Sequence, residues 1–327
     1  MSKKKMFICL IILVCLLLVC KLSFKDGQLS LSFLQKVWTG DKPSLFIFFH
    51  MRLPALLAIF STGILAVIST LILQTLSKNE LADAMALGYH NVALTSLALL
   101  YFFTPALRQL SYLQILFLSI LVVLGYSIFM YDFARGKGQV LNGNMMLLVG
   151  IGANSFFSTI LSYLKTYSPE IKDIFSLLMQ GNFDHVDLDY ALFLSCLTLL
   201  FLVIFILVFP YFKILSLSEE MVYGLGVSAK LLNLGFFVLM SVGIALGLMF
   251  GTSFPFVAFT SLHMIRPIYA SNSLAFLSAS FLMTISAILL SDLIAHYAFS
   301  TVLPTNIFLG FFGGLGFVII LLRRRSH

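Results

Sequence analysis

Ten apolar stretches separated by short polar breaks organise this chain. They run over roughly 6–22, 53–76, 86–103, 110–131, 145–164, 188–209, 231–250, 254–268, 274–299 and 303–322. A hydrocarbon core about 30 Å thick takes about 20 apolar residues per helix. The pattern therefore predicts ten transmembrane helices, with the eighth the shortest. Three breaks carry structure of their own. Residues 25–50 space Leu29, Leu31, Phe33, Leu34, Val37 and Trp38 as an amphipathic segment suited to a membrane surface. Residues 169–180 open on Pro169 and are followed by Gly181, and proline in the first turn with glycine after the last predicts a helix of about three turns. The third break, Ser218-Glu219-Glu220-Met221-Val222-Tyr223-Gly224-Leu225-Gly226-Val227, predicts a small helix lying flat on the membrane. Its two carboxylates sit at the positive end of the helix dipole, and Gly226 can end it in a left-handed conformation. No fixed-period repeat or low-complexity linker divides the chain. Residues 1–327 read as one membrane domain, with 169–181 and the segment 215–229 outside its spans.

Composition supports the membrane reading. The 327 residues are 60% hydrophobic and 10% charged, against about 45–50% and about 25% in soluble domains. A net charge of +7 does not point to nucleic acid, because the cations gather at span ends. Ten spans put both termini on one side. Segments on that side hold twelve cations, including Lys3–Lys5 and Arg323–Arg325, and those on the other hold eight. The bias predicts cytoplasmic termini. It also places Glu219 and Glu220 in the cytoplasm and the 169–181 helix on the outer face. Lys3–Lys5 followed by an apolar run resembles a secretory signal, but the bulky Val19 before Cys20 and the nine later stretches favour an uncleaved first span. The four cysteines show no spacing that suggests a metal site or disulfide framework.

Catalytic signatures are missing. The sequence contains no Gly-x-x-x-x-Gly-Lys-Ser/Thr phosphate loop, no His-Glu-x-x-His and no serine nucleophile elbow. An enzyme is the weakest reading. Ion-coupled transport needs ionisable groups deep in the bilayer, and Asp292 is the one carboxylate well inside a predicted span. Asp292 either binds a proton or hydrogen-bonds a neighbouring helix near the outer surface. The first alternative makes the chain a secondary transporter. Small residues at Gly310, Gly314 and Gly316, and at Gly150, Gly152 and Ser155, suit close helix packing or the lining of a path. The Glu219–Val227 stretch is then the natural docking point for an energy-supplying partner.

In this order the residues resemble the permease subunits of FecCD type, the ABC importers of iron chelates and cobalamin. Four segments carry the resemblance: Arg52-Leu53-Pro54; Gln74 with Lys78-Asn79-Glu80-Leu81-Ala82-Asp83 and Leu87-Gly88; the Glu219–Val227 stretch; and His263, Arg266, Asp292 and Leu303-Pro304 before a basic C-terminus. Together with the span count they cover most of the chain. There are departures. Ala55, Glu80, Ala84, Leu262 and Asn306 stand where the family has arginine, prolines or glycine, and His296 stands where it has a basic residue after the ninth-span aspartate.

The resemblance implies an all-α type II importer permease without cofactor or resident metal, whose partner ATPase uses ATP and magnesium. It implies that Glu219, Glu220, Leu225, Gly226 and Val227 form the coupling helix that enters the ATPase. Arg52 and His296 would meet an extracytoplasmic substrate-binding protein; because neutral histidine cannot form arginine's forked pair, that docking is weaker, pH-sensitive or carried by a sister subunit. Asn79 and Leu81, with Asn142, Gly143 and Asn144, would form the cytoplasmic gate. The path would run between two permease subunits, beside the fifth span, the 169–180 helix and the tenth span. The departures favour a non-identical sister subunit. Implied too are a bacterial inner membrane, lipid contact and a ferric siderophore as cargo, with haem and cobalamin open.

Overall fold

The computed structural model describes residues 3–25, 28–29, 32–104, 111–135, 143–181, 183, 186–217, 219–251, 256–271, 273–299, 301 and 303–325. These form two compact units, both discontinuous in sequence: 1–67, 180–199 and 250–327, and 68–179 with 200–249.

The first unit opens with α1 (Lys3–Ser23). A two-residue ribbon follows, β1 (Phe24–Lys25) paired antiparallel to β2 (Gln28–Leu29). Next come α2 (Ser32–Trp38), α3 (Lys42–Ile47), a π-helical turn (Phe48–Arg52) and α4 (Leu53–Leu76), whose last nine residues belong to the second unit. The amphipathic segment thus becomes two short helices. Phe33 is buried and Trp38 exposed, which suits an aromatic anchor at the membrane interface.

The second unit contains α5 (Tyr89–Phe103), α6 (Tyr112–Arg135), α7 (Gly143–Tyr167) and α8 (Pro169–Gln180). It also takes the later part of α9 (Leu188–Leu215), the short α10 (Glu219–Gly224) and α11 (Ala229–Met249). The chain returns to the first unit with α12 (Val257–Ile265), α13 (Leu274–Tyr297) and α14 (Thr305–Arg325).

Every predicted span coincides with a helix, and the predicted helix 169–180 is α8 to the residue. Among the described residues, seven helical segments are long and apolar enough to cross a membrane, and the apolar part of α14 is shorter. Two predicted spans shrink. The fifteen residues of α5 begin only after Gly88, whose backbone is left-handed; most of its first three turns are buried, so less of it must match the lipid. The nine residues of α12 reach about 14 Å, half a membrane, and pack on α13 and α14. One span grows: α9 continues to Leu215 through Pro210. Proline removes one N–H, but lipid offers the other backbone groups no partner outside the helix, so the chain stays helical.

Within the first unit, α1 lies along α13. Met6, Leu10, Val14, Leu17 and Lys21 are its buried stripe, spaced by three or four residues as one helical face requires.

Candidate functional site

Arg52 and His296, the expected docking positions, lie in one buried cluster in the first unit. Its centre is Asp292 on α13, fully buried, with the Lys21 ammonium 2.5 Å from one carboxylate oxygen. The His296 ring lies 3.4 Å from the other oxygen, and its Nδ1 donates to the Asp292 carbonyl at 2.8 Å. Arg52 is 8% exposed. Its guanidinium stacks 3.9 Å from the Phe33 ring centre and reaches the Lys21 carbonyl at 3.5 Å. Both docking candidates are thus engaged within the subunit. Asp292 is not a lone carboxylate: its charge is held by α1, and a buried charge is tolerated only with such a partner. Lys21 is one of the eight cations that the sequence assigns to the outer segments. Its place on the Met6–Leu17 stripe is the signal that it turns inward.

The second unit brings together the expected gate and coupling elements. Lys78 takes a positive φ of 48° and turns the chain out of α4. The Asn79 side chain then accepts from the Leu81 backbone N–H at 2.8 Å, and the Gln74 amide donates to the Ala82 carbonyl at 3.3 Å. Gly143, at the start of α7, lies against this turn; a Cβ there would collide with the Ser77 carbonyl and sit 3.2 Å from the Asn79 Cβ. Asn144 is exposed beside it, and Asn142 lies outside the described residues. Gly143→Ala should therefore cost about 1–3 kcal/mol, as overpacking does. A lowered thermal-unfolding midpoint of the purified protein would show it; an unchanged midpoint would mean the two segments are not held together.

The backbone of Glu219 and Glu220 opens α10, as the sequence predicts, while their side chains lie outside the described residues. Gly226 takes a φ of 73°, and the Val227 N–H returns to the Val222 carbonyl at 3.4 Å, the six-to-one bond of a Schellman stop. The helix has two faces. Met221 and Leu225 are 60% and 58% exposed, whereas Val222 is buried. Val222 lines a crevice of about 20 Å³ with Leu76, Lys78, Leu215, Ala229 and Asn233. This short helix thus abuts the turn against which Gly143 packs.

From that turn the geometry leads into α7. Asn91 on α5 donates to the Asn154 side-chain oxygen at 2.7 Å, and Thr95 to the Phe157 carbonyl at 2.8 Å. Tyr126 on α6 donates to the Leu87 carbonyl at 2.8 Å. The bonds from Asn91 and Thr95 hold one face of α7 against α5, so the opposite face turns away. That face carries Gly152, Ser155, Thr159, Ser162 and Thr166, all exposed, spaced 3-4-3-4 as a helix seam requires. Each hydroxyl donates to its own helix four residues back, at 2.8–3.1 Å. Beside the seam stand Phe156 and the ring pair Tyr163–Tyr167, whose centroids are 4.5 Å apart. Only 17% of the most apolar window of α7 is buried, the lowest share of the seven spans. The sequence reading noted Gly152 and Ser155 and missed the other three; the 3-4-3-4 spacing was the available signal. Among the described residues, no group of three or more His, Cys, Asp and Glu could hold a metal ion.

Comparison with known proteins places these elements in a wider set. A sequence model of the FecCD transport family matches residues 9–323. The protein named as heme-iron transport system permease IsdF of Staphylococcus aureus (strain MSSA476) is 27% identical over 232 residues. That match takes in 69% of this chain and 66% of the relative, a little under two thirds of the relative's length. The same protein from strain MW2 matches equally. A solved structure assigned as an inward-facing metal-chelate type ABC transporter shares the fold with a TM-score of 0.77, at 23% identity, over 98% of this chain and 99% of that one. PsaBC from Streptococcus pneumoniae, in complex with Fab, aligns with a TM-score of 0.55 at 17% identity over 88% and 94%.

Proposed function

Because the chain belongs to the FecCD transport family, we propose that it is the permease subunit of an ATP-driven importer that moves an iron chelate across the bacterial inner membrane. The observation that carries this reading is the exposed seam on α7. A row of glycine, serine and threonine on the least covered span lets another helix approach closely and offers hydroxyls to a polar path. The seam faces a second permease subunit, and the cargo passes between the two. The second subunit is a non-identical sister, and both termini lie in the cytoplasm.

The chain itself makes and breaks no covalent bond. A separate ATPase supplies the work by pressing on the exposed Met221 and Leu225 face of α10. The push reaches Val222, the end of α4 and the turn at Asn79, and then Gly143 at the foot of α7. Small shifts there change access to the seam, which gives alternating access around the Asn79–Leu81 and 142–144 segments. A substrate-binding protein delivers cargo at the rim that contains Arg52 and His296. Both are turned inward, so docking must rearrange α2 to reach Arg52.

Ferric siderophore and haem are the two cargoes proposed, haem gaining weight from the name of the 27% identical relative. Proteoliposomes holding the permease pair, the ATPase and the binding protein should take up the labelled chelate only with ATP inside the compartment that faces the ATPase. A protonophore should leave that uptake intact. Uptake without ATP that collapses under the protonophore would replace this reading with an ion-coupled one.

A further inference from the structure

A cavity of about 580 Å³ opens at the start of α1, where it meets the segment between α12 and α13. Its walls are amphipathic. Phe7, Ile8 and Ala275 supply an apolar side, Lys3 and Lys4 stand at the rim, and Ser278 adds a hydroxyl. Among the described residues, no carboxylate lines it. The rim is fixed in place, because the Tyr269 hydroxyl donates to the Lys3 carbonyl at 2.6 Å and Tyr269 itself is buried. Lys3 and Lys4 begin a helix apolar enough to span the membrane, so the rim sits at headgroup depth whichever way the chain is oriented.

We propose that this cavity holds an anionic phospholipid. Lys3 and Lys4 pair with the phosphate, and Phe7, Ile8 and Ala275 cover the glycerol and the first methylenes of the acyl chains. Two cations in a described lining that holds no carboxylate select against a zwitterionic headgroup, whose own ammonium would be repelled. The apolar wall beside them selects against free phosphate, which has no surface to place there. The site is independent of the cargo and of the energy source; it rests only on α1 lying in a bilayer. Bound in this position, the lipid bridges α1 and α13 at the end where Tyr269, in the segment before α13, already holds α1.

The test uses the full chain in nanodiscs of phosphatidylcholine doped with phosphatidylglycerol, and measures the phosphatidylglycerol retained after delipidation by native mass spectrometry. The wild-type protein should retain it. Lys3→Gln with Lys4→Gln should weaken retention about 30-fold, from two surface cations acting on an anionic lipid. Ala275→Trp, which fills the cavity and leaves both lysines, should lose retention to a similar degree. Inorganic phosphate at millimolar concentration should not displace the lipid. Equal retention by either variant would overturn the proposal. So would displacement by phosphate, or the same loss from Arg323→Gln with Arg324→Gln, which would show a general surface-charge effect. Unfolding midpoints in pure phosphatidylcholine should match across the variants, which separates lost lipid from lost fold.

Discussion

Asp292→Asn is expected to destabilise the protein by about 3–5 kcal/mol, the cost of leaving a buried ion without its partner. The stranded ion is Lys21, whose side chain is 5% exposed against the fully buried carboxylate. Lys21→Met should cost a similar amount from the other side, by stranding the carboxylate. Combining Lys21→Met with Asp292→Leu removes both charges and should restore most of the loss, because neutral groups of similar volume commonly replace a buried pair without penalty. With Asp292→Leu measured alone to close the cycle, the double variant should be strongly non-additive, read by thermal or denaturant unfolding in detergent. Additive losses would mean that the two groups do not pair. The same variants test energy coupling. If Asp292 carried a translocated proton, the double variant would fold and still fail to transport. In an ATP-driven permease, restored folding restores uptake.

The second large effect belongs to α10. Leu225→Asp combined with Glu219→Lys should reduce affinity for the partner ATPase by about 30-fold or more, the scale of losing an interface hot spot, and should abolish chelate uptake. Leu225 is 58% exposed, so its replacement leaves the subunit's own packing alone and the unfolding midpoint should stay put. Co-purification with the ATPase and chelate-stimulated ATP hydrolysis are the measurements. If both persist at wild-type levels, the work enters elsewhere. Val222→Ala makes a useful contrast, because its side chain is buried against the end of α4. That variant should bind the ATPase normally and pass on less of its motion.

Hydrophobic periodicity made the helices legible, because lipid requires each spanning segment to satisfy its own backbone. Pro169 and Gly181 marked the ends of α8 in the same way, since both act through local backbone geometry. Where the sequence reading fell short, the cause lies in contacts between distant residues. Lys21 and Asp292 are 271 positions apart, and only the docking of α1 on α13 makes them partners. The Thr159, Ser162 and Thr166 part of the seam was hidden because hydroxyls that bond their own helix suit a lipid face and a path equally well. Bonds from Asn91 and Thr95 set the rotation of α7 and show that all three lie on its outward face. The half-length α12 was read as a span because its flanking residues continue the apolar run, and apolarity alone does not mark where a helix stops.

The ties on α1 have a further consequence. Its first turn is held at Lys3 by Tyr269 and its last at Lys21 by Asp292, eighteen residues later. Eighteen residues make five whole turns of an α-helix, so both anchors share one angular phase. One inserted residue would turn the far anchor by about 100° and point Lys21 into lipid. Four would bring it nearly back into line but carry it about 6 Å further along the axis, past Asp292. The length of this helix is thus set in both angle and reach: α1 can lengthen or shorten by no whole turn while both ends remain fastened.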